Sequence, residues 1–230
     1  MTKVLKNDAQ WVHSTHNFTW SLPHCNIHEI QIMDLLHQLY KGTIAYLVLW
    51  IIRLVDYNYP LRRGDVQAHN GPTARIDARM QQMPRMYHLK HFNNFRDVKQ
   101  WSGEEQKAMH RLLLSAFAPF LEYNPRQTRF IRAAVTFVLL AHLHYHNEDT
   151  IRLMEQQLAM MDVEKTSFAD FQNSSSKRQE TFNYSKWHIL VHYTSYIALY
   201  GALDGYNTSQ TEACHKFQIK CFIPSTNGID

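Results

Sequence analysis

HCNIHEIQIMDLLHQLYKG, residues 24–42, changes its hydrophobic period part-way along, and that change governs the reading of the whole chain. Before Asp34, Ile30 and Ile32 alternate with Glu29 and Gln31 as in a half-buried strand. After it, Leu35, Leu36, Leu39, Tyr40, Leu47, Trp50, Ile51 and Leu54 follow helical spacing. The pattern predicts extended chain over 18–33 and a long helix over 34–55. Aspartate at the junction suits a helix cap, where its carboxylate meets orphan N–H groups and the positive end of the dipole. The same position can also turn a carboxylate toward a polar cleft.

Composition supports a helical reading. Only 7 glycines and 7 prolines occur in 230 residues, too few for a turn-rich all-β chain, and 45% hydrophobic with 19% charged residues is ordinary for a globular protein. The formal charge of +4 allows a polyanionic partner without demanding one. Cys25, Cys214 and Cys221 form no CxxC pair and leave an odd thiol in any disulfide scheme, which suits a reducing, intracellular compartment. The N-terminus lacks the apolar core of a signal peptide. The longest apolar run, 44–52, is followed by Arg53 and is shorter than the roughly 20 residues a bilayer requires, so it reads as a buried helix and no membrane partner is expected.

Outward from the decisive stretch, 1–17 reads as a loose polar lead and 18–215 as one helical domain. A mobile linker lies around 56–72, where DYNYPLRRGDVQAHNGP is rich in turn formers, and 216–230 is an irregular tail. A short helix is expected over 73–83, with Arg75 and Arg79 on one face, closed by Pro84. Ser102 and Glu105 have capping-box spacing, and Pro119 should bend or end the helix they start. Residues 130–143 are apolar almost all round, with Ile131, Ala134, Val135, Val138 and Leu139 densest, so this helix is placed at the bundle centre. Asn147 should cap the next helix. Trp187, Leu190, Val191, Thr194, Ile197 and Ala198 mark another, ended by Gly201 in the left-handed conformation.

PHCNIH followed by MDLLHQLYKG resembles the Plavaka-type transposases of fungi, relatives of the CACTA-type cut-and-paste enzymes. The likeness continues in order through Ile76-Asp77-Ala78-Arg79, Gln100-Trp101-Ser102-Gly103-Glu104-Glu105, Phe182-Asn183-Tyr184-Ser185-Lys186-Trp187-His188, His192-Tyr193 and Gly205-Tyr206-Asn207-Thr208, covering about residues 18–215. It implies an RNase H-like core in which three acids hold two magnesium ions for phosphodiester cleavage and strand transfer. On that pattern Asp34 matches the second acid and Glu212 an acidic position near the third, so both are the implied catalytic and metal-binding residues. Ser209 stands where the family shows glutamate, and Thr181 and Ser185 replace its histidine and proline. The strands and first acid expected upstream have only a short polar lead containing Asp8 in their place.

The fold class expected is therefore mainly α: a helical bundle with one or two short strands near the N-terminus, a remnant of an RNase H-like core. The function expected is that of a transposon-derived chain, N-terminally truncated and catalytically inactive, with no cofactor of its own although magnesium is implied for an intact relative. DNA and self-association are the partners considered, in an intracellular location with the nucleus among the options, and no small-molecule substrate is indicated. Arg126, Arg129 and Arg132 recur every three residues, and Lys177 with Arg178 forms a second basic patch; both could meet phosphates, or simply be solvated surface. Two alternatives stand beside this: a helical protein-interaction module, and a magnesium nuclease completed by another chain.

Histidines offer a rival chemistry. His24, Cys25, His28 and His37 could approach one another, and His188 and His192 share a helical face, but neither set has the spacing of a known zinc motif. His142, His144 and His146 are expected to meet the C-terminal carbonyls of their helix. No nucleophile elbow, phosphate loop or dinucleotide fingerprint is present, which argues against hydrolase, kinase and dehydrogenase readings.

Overall fold

The structure, a computed structural model, describes residues 18–23, 33–59, 72–93, 95, 101–121, 124–168, 182 and 184–220. Asp34, itself extended, caps a helix that runs unbroken to Asn58, accepting the backbone N–H groups of Leu36 and His37. The first part, α1 (Leu35–Ile44), is wound as a π-helix, so that the N–H of Ala45 reaches back to the carbonyl of Tyr40. It passes directly into α2 (Ala45–Asn58). Leu35, Leu39, Ile44, Ile51, Leu54 and Val55 are buried along this rod. Its 24 residues are long and apolar enough to cross a membrane by length and composition, yet 61% of that window is buried inside the fold, as in the core helix of a globular bundle.

Around the rod stand α3 (Pro72–Gln82), α4 (Gly103–Phe117), α5 (Pro125–Ala141) and α6 (Glu148–Glu164). The starts of α4, α5 and α6 are legible in their caps. Ser102 and Glu105 form the expected reciprocal box, Asn124 receives the N–H groups of Arg126 and Gln127, and Asn147 pairs with Thr150. A 3-10 turn at Ala118–Phe120 takes over from α4 at Pro119. The short connection between α5 and α6 makes them an antiparallel pair packed along their length. After Tyr184 come one α turn (Ser185–His188), a 3-10 turn (Ile189–His192), α7 (Tyr193–Tyr200) and α8 (Ser209–His215).

The core is one continuous cluster drawn from α1 to α7. Phe182, Tyr184 and Trp187 fill it beside α2 and α5: Trp187 stacks on Phe130 with centroids 5.8 Å apart, and Phe182 meets Trp50 edge-on at 4.6 Å. Asp77 and Arg79 have structural work. Asp77 accepts the N–H of Phe95 at 3.1 Å, and Arg79 donates to the carbonyls of Ser115 and Ala116, which α4 leaves open at its C-terminal end.

Several expectations are corrected. Phe18–Ser21 is a 3-10 turn, because a strand there would need a pairing edge and no strand occurs among the described residues. Residues 24–32, the rest of the expected strand, lie outside the described residues, as do 60–71 of the linker. No RNase H-like remnant is therefore seen in the described part, which is mainly helical. The helix expected from Trp187 is interrupted by the 3-10 turn, which turns Val191 outward and buries Tyr193 instead. Leu139, assigned to the core, is exposed at the end of α5. Gly201 does have positive φ, 83°, but its ψ of −160° lies in the region only glycine adopts readily, outside the left-handed helical one.

Candidate functional site

The ordered motifs converge on the first turn of α1. Asp34 Oδ1 accepts the N–H of Leu36 and, at 3.2 Å, that of Thr208. Oδ2 accepts the N–H of His37, the hydroxyl of Thr208 at 2.9 Å, and a contact from His37 Nδ1 at 2.6 Å. The other ring nitrogen, Nε2, lies 2.5 Å from Glu212 Oε1, and Lys41 Nζ reaches Glu212 Oε2 at 3.1 Å. His37 thus bridges the two acids, and both contacts are hydrogen bonds at once only when both ring nitrogens carry protons.

The surrounding motifs hold this turn in place. Lys186 donates to the carbonyl of His37 at 3.0 Å and lies so close to Gly42 that a Cβ there would sit 2.5 Å from its Cδ. Gly103, at the start of α4, likewise leaves room for Leu36. The hydroxyl of Tyr193 donates to the Asp34 carbonyl at 3.4 Å. Burial would raise the Asp34 carboxyl, but the hydrogen bonds from His37 and Thr208 outweigh it and keep the group below its ordinary value. Glu212 is also lowered, chiefly by Lys41. Ser209 turns its hydroxyl to Asn207 Oδ1 at 2.9 Å and so serves the local turn before α8.

The implied magnesium can be tested against these donors. Every carboxylate oxygen of Asp34 and Glu212 already lies within hydrogen-bonding distance of a polar group of the chain, and the imidazole fills the space between them. A cation bound to both acids must displace His37, so the pair in this arrangement does not fit the ion. Among the described residues no group of His, Cys, Asp and Glu side chains is placed to hold a metal.

The arginine stripe is divided. Arg126 and Arg129 each place Nε against Glu164, at 2.7 and 2.6 Å, and Arg126 also donates to the Val163 carbonyl and the Thr166 hydroxyl. Glu164 is only 5% exposed, and its carboxyl is held low by hydrogen bonds first from Arg126 and then from Arg129. These two arginines tie α5 to the end of α6; Arg132 stands exposed. Lys177 and Arg178 lie outside the described residues, as do His24, Cys25 and His28. His188 and His192 have ring centroids 5.3 Å apart on an exposed turn.

Of the histidines after α5, only His146 hydrogen-bonds a backbone group near the helix end, that of Leu143. His142 Nε2 meets the Tyr40 hydroxyl at 2.6 Å, His144 pairs with Asp204 and His146 also approaches Thr150. His110, unremarked in the sequence, is 1% exposed beside Tyr40, with Nε2 lacking a partner. Burial pushes His110 and His142 down to about 4. Sequence reasoning also passed over Lys41 and Thr208 as site residues. The signal for Lys41 was its one-turn spacing from His37 on the face that begins with Asp34.

No curated protein and no solved structure matches the chain. Residues 2–51 match the model of the family described as Plavaka transposase. The match begins within the polar lead and ends inside α2, so it contains Asp34, His37, Lys41 and Gly42. That segment, less than half of the chain, is what is similar to the Plavaka transposases, and it packs on the other motifs around Asp34.

Proposed function

We propose that this transposon-derived chain is a catalytically silent helical protein that acts in the nucleus and retains weak, sequence-tolerant DNA binding. One observation supports the silence: the four oxygens of Asp34 and Glu212 all lie against polar groups of the protein, with the His37 ring wedged between the two acids. Carboxylates so engaged act as a clasp joining α1 to α8. Arg132 and the exposed halves of Arg126 and Arg129 give the charge for phosphate contact, while Glu164 offsets part of it.

The test is incubation of the full chain with supercoiled plasmid and labelled duplex DNA in millimolar magnesium or manganese. No cleavage above that of Asp34→Ala and Glu212→Ala is the expected result. Cleavage by the pure chain, abolished in both variants, would overturn the silent reading; cleavage appearing only on addition of a second chain would support the alternative of a nuclease completed by that chain. The interaction-module alternative draws on Tyr46, Leu49 and Tyr57, exposed along α2, and self-association measured by sedimentation would favour it if lost in Leu49→Glu.

A further inference from the structure

Between α3 and α4, residues 83–95 contain no Asp or Glu and carry Arg85, His88, Lys90 and His91. The base of this loop is fixed. Phe92 and Phe95 are buried, Leu89 packs on the core, His91 Nε2 meets the Gln81 carbonyl at 3.1 Å, and Lys90 pairs with Glu105. Its tip does the opposite. Tyr87 is 90% exposed, Met86 and Arg85 are exposed beside it, and His88 adopts φ 56°, which side chains with a Cβ rarely take. The His88 ring lies 3.9 Å from that of Tyr87, centroid to centroid.

We infer that the loop tip Arg85–His88 is a contact for single-stranded DNA, with Tyr87 stacking on an unpaired base and Arg85 holding the adjoining phosphate. An aromatic face held out on an anchored turn, next to cations and with no acid in the turn itself, is the arrangement by which proteins grip unpaired bases, since every base offers a π-face. Duplex DNA hides those faces, and its grooves are usually read by a helix or ribbon, which this tip does not supply. The inference rests on the proposed DNA binding, but at a surface separate from the arginine stripe.

Fluorescence anisotropy with the full chain, using a labelled short oligothymidylate and a duplex of equal length, tests it. Tighter binding of the single strand is expected. Tyr87→Ala should weaken it roughly tenfold or more while Tyr87→Phe retains it, and Arg85→Ala should reduce the salt slope by about 0.7. Tyr145→Ala serves as control, because Tyr145 is 89% exposed elsewhere. Single-strand binding unchanged in Tyr87→Ala, equal loss in Tyr145→Ala, or a preference for duplex overturns this contact and leaves DNA binding standing. No binding of either DNA by the wild-type chain overturns both.

Discussion

Thr208 closes the N-terminal turn of α1 from 174 residues away, giving both its N–H and its hydroxyl to Asp34. The carboxylate is therefore a local helix cap and a long-range tie at once. Removing it exposes orphan donors on two segments. Asp34→Ala should cost about 2–3 kcal/mol of unfolding free energy. Thr208→Val, which keeps the shape and the backbone donor, should cost about 1 kcal/mol. Urea denaturation measures both.

Gly42 and Gly103 lie in helices where alanine would ordinarily be the better residue. Alanine at either position nonetheless brings a Cβ to 2.5 Å, from Lys186 at Gly42 and from buried Leu36 at Gly103. Gly103→Ala should destabilise by about 1–3 kcal/mol through overpacking. Gly42→Ala should cost less, because Lys186 can swing away at the expense of its bond to His37. Thermal melts of the two variants should rank them in that order.

The pH dependence has two windows. His110 and His142 fall from an ordinary 6.5 to about 4 in the fold, so the unfolded chain binds more protons between those values and stability drops as pH falls from 6.5 to 4. Each ring contributes at most about 3 kcal/mol at neutral pH. The lowered carboxyls of Asp34 and Glu105, the latter at about 2, act in the other range: their stabilisation is present above the usual carboxylate values and is lost below them. His110→Leu should remove close to one proton from the slope between pH 6.5 and 4 while leaving the lower window intact. Denaturation midpoints across pH show whether it does.

Glu164 is buried against two arginines that are themselves half exposed. The joint change Arg126→Ala and Arg129→Ala strands a carboxylate in the interior, whereas Glu164→Gln leaves the arginines free to reach water. The arginine double variant should melt several degrees below the glutamine variant. Arg132→Ala should leave the melting temperature unchanged and is the cleaner probe of phosphate contact.

Much of the fold was legible because its signals are local. Asp34, Ser102 and Asn147 announce helix starts through donors only a few residues away. Leu139 and Val191 misled because periodicity marks a face and cannot say whether the neighbouring helix extends far enough to cover it. Asp34 and Glu212 were brought together by resemblance, yet the residue joining them, His37, is visible only once α8 lies across α1. The arginine triplet showed its charge in the sequence, but not Glu164, which takes up two of its members from another helix.

The clasp between Asp34 and Glu212 is most directly tested by titrating manganese into the isotope-labelled full chain and following amide line broadening. A closed clasp bridged by His37 should leave the amides of residues 34–37 and 208–212 no more broadened than the exposed surface. Selective loss of those signals at low manganese, abolished by Asp34→Asn, would show a cation seated between the two acids and contradict it.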